Sequence, residues 1–215
     1  MSAVTDVTGA LATQAFHVAF ADFEKTSPEV VSAVLNAPIA NAWVYSWSDK
    51  RDNKLDTLKK IPFPKFTAID QKLIEQKVGK LEELLSSDEV LQHPSMPVLR
   101  RLLMQVDAAV IQAYGLSEDL ENELVDAFDQ ALRPLAFDVG RIDREEYDVA
   151  KAELEVERQQ IKIIERYHEL VDRFLIEKPT SEQQAEIDRL GQEIDAFDAP
   201  YYEGILQLLE GKRQG

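Results

Sequence analysis

The amino-acid sequence predicts a mainly α-helical protein with a short β element near its N-terminus. Three observations support this fold class. Apolar residues recur at three- and four-residue spacing from residue 67 almost to the end of the chain, which is the pattern of helices with one buried face. Helix-start residues and prolines separate these segments from one another. A single short run, Ala15 to Phe20, is apolar and aromatic in the manner of a strand.

Residues 1–66 are predicted to hold that strand and two short helices. Ser27 followed by Pro28 marks a helix start, because a hydroxyl can cap the helix and the missing N–H of proline costs nothing there. This helix is interrupted at Pro38, and a second helix follows to Trp47. The passage Ile61-Pro62-Phe63-Pro64 is expected to be extended, since each proline disfavours helical geometry in the residue before it.

Residues 67–140 are predicted to form three helices, at 70–85, at 98–114 and from Ser117 to the Arg133-Pro134 pair. Gly115 is expected to stop the second helix, because glycine readily takes the left-handed conformation of a helix C-terminus. Met96-Pro97 is expected to break the helical pattern ahead of that helix.

Residues 141–215 are predicted to form a long antiparallel helical hairpin. Apolar residues of the first helix repeat every seven positions: Val149, Val156, Ile163 and Leu170. Thr180 or Ser181 is expected to cap the second helix, with a glutamine three residues on. The apolar seam of the second helix comprises Ile187, Leu190, Ile194, Phe197, Tyr201 and Leu208. Pro200 is expected to kink this helix or to begin a new one.

The composition favours a soluble cytoplasmic protein. The 215 residues include no cysteine, which excludes disulfides and thiolate metal sites and suits a reducing compartment. The N-terminal residues have neither the basic flank nor the apolar run of a signal peptide, and no apolar stretch is long enough to cross a membrane.

The net charge of -16 is unevenly distributed along the chain. Residues 1–80 contain ten Lys and Arg against nine Asp and Glu, whereas the remaining residues contain fourteen against thirty-one. Residues 50–65 form a local basic run, with six basic and two acidic residues. An acidic surface repels nucleic acid, so the basic run is the part suited to phosphate contact. The acidic helices are interpreted either as a soluble surface or as a partner-binding face.

The sequence supplies no recognisable catalytic, cofactor or metal site. Its three histidines, His17, His93 and His168, have no second ligand at metal-binding spacing. No phosphate-binding glycine loop and no nucleophile motif is present. Asp198-Ala199-Pro200-Tyr201 approximates the tetrad that holds a flipped base in amino-methyltransferases. Without an upstream cofactor loop it is interpreted as helix punctuation.

Four segments of the first 85 residues follow the order found in one protein family. Gly9 to Phe16 places small residues, Thr-Gln and then an aromatic residue at the entry to a strand. Val34 to Ala42 contains Leu-Asn-Ala-Pro at a helix end, and Leu58 to Pro64 contains an Ile-Pro-x-Pro turn. A helix rich in Lys and Glu follows at 70–85. Together they resemble the C-terminal part of the target-recognition domain of adenine-specific restriction-modification enzymes, as found in type I specificity subunits and fused restriction-methylation enzymes.

Two later segments extend the resemblance to about residue 137. Val106 to Leu116 is similar to the helix with Asp, Val and Tyr-Gly-Leu that follows this domain in the fused enzymes. Glu123 to Phe128, with Arg133-Pro134, is similar to their next helix. The catalytic domain and the first half of the recognition domain have no counterpart in the sequence. The resemblance therefore implies a split or truncated subunit that completes a partner, or a piece with a separate role.

The resemblance implies a non-catalytic DNA-recognition or specificity component of a restriction-modification or phage-defence system, without a cofactor. It would act with a methyltransferase or nuclease partner and reach double-stranded DNA in that complex. The DNA-binding candidates carried over are Thr13, Gln14, Lys50, Arg51 and Lys54. For Lys50, Arg51 and Lys54 a second interpretation stays open, a solvated linker before the Pro-Phe-Pro turn. The aromatic residues of the second helix are interpreted as core rather than base-stacking side chains: Trp43, Tyr45 and Trp47.

Two other functions stay open at the level of sequence. The first is an acidic helical interaction module that binds a protein partner or imitates DNA. The second is a small methyltransferase or nuclease of a new type, for which the sequence supplies neither a methyl-donor loop nor a metal-ligand set.

Overall fold

The computed structural model describes residues 26–47, 55–86, 96–130, 133 and 141–213. Within these ranges the chain forms eight helices and no strand, so it is mainly α-helical as predicted. The helices are α1 (Pro28–Asn36), α2 (Pro38–Trp47), α3 (Leu55–Leu58), α4 (Ala68–Ser86), α5 (Met96–Ala113), α6 (Glu118–Gln130), α7 (Arg144–Phe174) and α8 (Ser181–Arg213). The β element predicted at 15–20 lies outside the described residues.

Local signals set several helix ends where the sequence predicts them. The Ser27 hydroxyl accepts a hydrogen bond from the backbone N–H of Val30 at 3.4 Å, with Pro28 at the first position of α1. Gly115 follows α5 with a φ of 63°, the left-handed conformation that glycine takes most readily. Such signals involve only neighbouring residues, so helix ends of this kind can be predicted from the sequence without knowledge of the rest of the fold.

A capping box begins α8. Thr180 Oγ1 accepts from the backbone N–H of Gln183 at 3.2 Å, and Gln183 Oε1 accepts from the N–H of Thr180 at 2.9 Å. The expectation that Met96-Pro97 breaks the helical pattern is wrong, because α5 begins at Met96. Proline is tolerated in the first turn of a helix, where its missing N–H would have no partner.

The chain divides into two compact units, Met1–Leu154 and Glu155–Gly215. In the first unit α5 is the central helix, since residues 104–111 are buried without interruption. Helix α4 packs against α5 and α1, and α2 contacts α1, α3, α5 and α6. The largest buried apolar side chains of this unit are Val30, Val34, Leu73, Ile74, Met104, Val110, Ile111, Ile142, Tyr147 and Leu154.

The first third of α7 buries a different stripe from the predicted one. Tyr147, Ala150 and Leu154 are each at most 1% exposed. Val149 and Val156, predicted as seam residues, are 52% and 56% exposed. A helix turns by about 100° per residue, so these two valines lie on the far side of α7 from the buried stripe. A seven-residue repeat marks one face of a helix but does not show along how much of its length that face is covered.

The second unit is a helical hairpin in which residues 175–180 join α7 to α8. Of the predicted seam residues in this unit, Leu170 and Leu190 are buried, Val156 is exposed, and four are half-buried: Ile163, Ile187, Ile194 and Phe197. Arg166 Nε donates to Glu186 Oε1 at 3.0 Å across the two helices. Helix α8 continues through Pro200, so the Asp198–Tyr201 tetrad lies within a helix.

Candidate nucleic-acid interface

The five DNA-binding candidates of the sequence, Thr13, Gln14, Lys50, Arg51 and Lys54, lie outside the described residues. Lys50 and Arg51 follow α2 by only a few positions, and Lys54 immediately precedes α3. The described part of the basic run is therefore α3 and the residues after it, and α2 precedes the run. Their surfaces contain the groups that could act with the basic run.

Helix α2 is anchored by one buried face and contains no charged residue. Ala40, Asn41 and Val44 are buried. The Asn41 amide donates to the carbonyl oxygens of Asn36 and Ala37, each at 3.1 Å. These bonds satisfy two carbonyls at the junction of α1 and α2, so they fix the start of α2 against the end of α1.

The end of α2 exposes aromatic side chains that the sequence places in the core. Tyr45 is 90% exposed and Trp47 is 68% exposed, so the core interpretation is wrong for both. Trp43 is half-buried, and its ring centroid lies 5.6 Å from that of Trp47 with an angle of 32° between the planes. Aromatic spacing along a helix predicts which side chains share a face, but not whether the end of that face is covered.

A basic segment follows α3, which contacts α2. We name Lys59, Lys60, Phe63 and Lys65 the basic turn. All four side chains are exposed, and residues 59–67 contain no acidic residue. The ring of Phe63 meets that of Phe66 edge-to-face, with 6.1 Å between centroids. In a chain of net charge -16, this segment is a local positive region beside exposed aromatic rings.

The basic turn is held to the central helix by a tyrosine. The hydroxyl of Tyr114, at the end of α5, donates to the Pro62 carbonyl at 2.6 Å. Burial raises the pKa of Tyr114 to about 12, so the phenol keeps its proton near neutral pH and remains a donor. The predicted extended passage at 61–64 is non-helical and is fixed to the first unit at this point.

A buried ion pair joins three further parts of the first unit. Arg133 donates to Asp107 through both terminal nitrogens, at 2.9 and 2.6 Å, and donates to the Asn36 carbonyl at 3.0 Å. The two charged side chains are 0% and 2% exposed. Burial raises the pKa of Asp107, and Arg133 opposes that rise by charge and hydrogen bonding. Because both charged groups are buried and bond each other and the Asn36 carbonyl, this pair organises the fold.

Helix α6 is the strongly acidic element of the first unit. It contains six acidic residues and no basic one: Glu118, Asp119, Glu121, Glu123, Asp126 and Asp129. Glu121 is turned inward and accepts from the Tyr147 hydroxyl at 2.8 Å and from Lys151 Nζ at 2.6 Å. Burial and the bond to Glu121 raise the pKa of Tyr147 well above its usual range. The other five side chains are exposed and give α6 a negative outer face.

The residues that the structure describes contain no group of three or more histidine, aspartate or glutamate side chains arranged to hold a metal ion. His168 is exposed on α7, and His17 and His93 lie outside the described residues. Among the described helices, none combines the length and the apolar character that crossing a membrane requires.

The exposed rings of Trp47 and Phe63, together with the exposed lysines of the basic turn, suit a ligand that has both planar bases and phosphates. Sequence reasoning identified the basic run but missed the exposure of Tyr45 and Trp47. Two features of the sequence could have indicated this exposure: α2 contains no charged residue, and aromatic residues lie at its very end. Comparison of the whole chain with protein-family models, curated proteins and solved structures finds no match.

Proposed function

We propose that this protein is a non-catalytic DNA-recognition or specificity component of a restriction-modification or phage-defence system. The observation that carries the proposal is the exposed Trp47 at the end of an anchored helix, together with the exposed lysines of the basic turn, which follows the contacting helix α3. Lysines of the basic run, which includes the basic turn, hold DNA phosphates, and contacts of this type position a protein on DNA.

The proposal draws further support from the hydrogen bonds among the segments that resemble the target-recognition family. Arg133 bonds Asn36 and Asp107, and Tyr114 bonds Pro62. The five residues belong to four segments of the resemblance, since Asp107 and Tyr114 share the segment Val106 to Leu116. These four segments are therefore joined in one packed unit, in which a recognition surface would be held at fixed geometry.

Catalysis belongs to a methyltransferase or nuclease partner in this proposal. The acidic second unit supplies the docking helices, with the described acidic side chains of α7 and α8 directed at basic groups of that partner. Charge on an interface of this kind sets the rate and specificity of association more than its affinity.

Binding of a fluorescently labelled DNA duplex, followed by anisotropy over a range of salt concentrations, tests the proposal. The basic turn contains three lysines. If each contacts a phosphate, the logarithm of the association constant for DNA should fall with the logarithm of the salt concentration at a slope of about -3 or steeper. Lys59→Ala with Lys60→Ala should reduce that slope by about 2. Lys178→Ala, in an exposed turn of the second unit, is the matched control and should leave the slope unchanged.

Binding that shows no salt dependence, or an equal loss in the Lys178→Ala control, would contradict a phosphate contact at the basic turn. Absence of duplex binding both by the isolated chain and together with a restriction partner would remove the proposed function.

The second candidate function is an acidic interaction module, which the negative outer face of α6 favours. Carboxylates spaced along a helix can imitate a row of phosphates and occupy a DNA groove on a partner. The discriminating measurement is competition. A mimic would displace DNA from the partner without binding DNA itself, and Glu123→Lys with Asp129→Lys would abolish the displacement.

A further inference from the structure

We infer that Trp47 stacks on an unpaired DNA base, so that the surface formed by α2 and the basic turn takes single-stranded DNA in preference to intact duplex. This inference rests on the proposed function and deepens it by naming the state of the DNA. It depends on three observations: the contact between the two tryptophan rings, the lack of exposed bidentate groove-reading groups on α2, and the exposed lysines that follow the contacting helix α3.

The first observation is the geometry of the two tryptophans. Their centroids lie 5.6 Å apart with planes tilted by 32°, so one side of the Trp47 ring is turned towards Trp43. Trp47 is nonetheless 68% exposed, which leaves most of the ring in contact with solvent. A base placed on the open side of Trp47 would give that ring a second aromatic neighbour.

The second observation is the chemistry of the exposed end of α2. Its last three residues are Tyr45, Ser46 and Trp47, all exposed. Bidentate groove readout of paired bases relies on Arg, Lys, Asn and Gln side chains. Within α2 the one residue of that kind is Asn41, which is buried and bonded to the carbonyls of Asn36 and Ala37. The end of α2 therefore suits the face of a base rather than its edge.

This preference for the face of a base determines whether the surface binds paired or unpaired DNA. In a duplex the faces of each base are covered by its neighbours, so an aromatic side chain reaches a face only where a base is unpaired or displaced. Stacking platforms flanked by positive charge are the usual arrangement for single-stranded nucleic acid, because stacking accepts any base and lysines follow the phosphates.

Charge complementarity supports DNA as the occupant of this surface. Lys59 and Lys60 directly follow α3, which contacts α2, and Lys65 lies a few residues on. All three are exposed, and no acidic residue occurs between 59 and 67 or within α2. An apolar protein segment would gain nothing from these charges, whereas a DNA strand offers a phosphate for each base.

Intrinsic fluorescence of the full chain tests the inference, because Trp43 and Trp47 are its only tryptophans. An oligothymidine of about twelve nucleotides, within the usual size of such sites, should quench the emission, and a blunt duplex of similar length should quench it less. Trp47→Ala should weaken oligothymidine binding by roughly five- to a hundredfold, whereas Trp47→Phe should retain most of it.

Tyr45→Ala is the matched control. Tyr45 is also exposed, but two positions along a helix are about 200° apart, so its ring lies on another side of α2 from Trp47. Its removal should leave oligothymidine binding within a factor of about two. Circular dichroism of each variant establishes that α2 and its surroundings remain folded.

The outcomes separate the inference from the proposed function. Salt-dependent duplex binding with no preference for oligothymidine and no effect of Trp47→Ala would overturn the inference and leave the proposed function intact. Equal losses in the Trp47 and Tyr45 variants would also overturn it. Tighter binding of oligouridine than of oligothymidine would assign the site to RNA and overturn DNA as the occupant.

Discussion

Arg133→Ala is expected to destabilise the first unit severely, because it leaves Asp107 as an unpaired carboxylate in the core. Both terminal nitrogens of Arg133 bond Asp107, and one of them also bonds the Asn36 carbonyl. Removing one partner of such a pair typically costs about 3–5 kcal/mol. That loss amounts to roughly two to four powers of ten in the unfolding equilibrium. It is a large share of the stability of about 5–15 kcal/mol that small domains have.

Urea unfolding followed by tryptophan emission measures this loss in the first unit, because both tryptophans lie in α2. Asp107→Leu with Arg133→Met is the control, since replacing both charged groups by apolar ones leaves no unpaired carboxylate in the core. The double variant should be more stable than Arg133→Ala alone. A decrease of less than about 1 kcal/mol in the free energy of unfolding of Arg133→Ala would refute the reasoning. A double variant whose decrease equals the sum of those of its two single variants would also refute it.

The loss should also depend on pH in a defined direction. Burial raises the pKa of Asp107, and removal of Arg133 takes away the groups that oppose this rise. A carboxyl whose pKa is higher in the folded chain stabilises the fold below its unfolded pKa, and that contribution is lost as pH rises through the folded pKa. Arg133→Ala should therefore be less destabilised at about pH 4.5 than at about pH 8. Asp107→Asn with Arg133→Ala, which removes the titrating group, should show no such trend.

Three smaller changes test other parts of the structure by thermal unfolding. Thr180→Ala should cost the second unit about 1 kcal/mol, since it removes the hydroxyl that caps α8 in the box with Gln183; an unchanged midpoint would exclude a role for the box. Gly191→Ala should stabilise α8 by roughly 0.5–1 kcal/mol, because a Cβ there meets a neighbouring ring at an ordinary contact distance of 3.7 Å. Gly115→Ala, at a φ of 63°, should instead cost about 1 kcal/mol. Stability changes of the same sign at Gly191 and Gly115 would contradict the helical and left-handed conformations given to the two glycines. Tyr147→Phe should cost about 1–2 kcal/mol, because it takes the hydroxyl from a buried carboxylate; a gain in stability would show that the bond is dispensable.

The sequence predicted the helices best where each boundary depends on a few adjacent residues. Ser27 with Pro28, Ser117, and Thr180 with Gln183 cap helices at the positions expected from their side chains. The second predicted helix of the middle segment differs by two residues at its start, because Pro97 fits the first turn that it was expected to prevent.

The features that define the candidate site depend on parts of the chain far apart in sequence. Arg133 and Asp107 each lie in a segment of the resemblance, but nothing in their spacing showed that they would pair in the core. The exposure of Trp47 and Val149 depends on where neighbouring helices end, which residue type and periodicity do not encode. The five predicted DNA-contacting residues lie outside the described ranges, so they stay predictions.

The bond between Arg133 and Asn36 has a consequence for how the protein folds during synthesis. It spans 97 residues, and the bond between Tyr114 and Pro62 spans 52. The ribosome must therefore release the chain beyond residue 133 before the first unit can close. Bonds between α7 and α8, such as that of Arg166 with Glu186, span only about 20 residues, and local contacts of this kind form quickly. The N-terminal unit, although made first, therefore keeps its core exposed until residue 133 has been released, and exposed apolar surface of this kind is prone to aggregation.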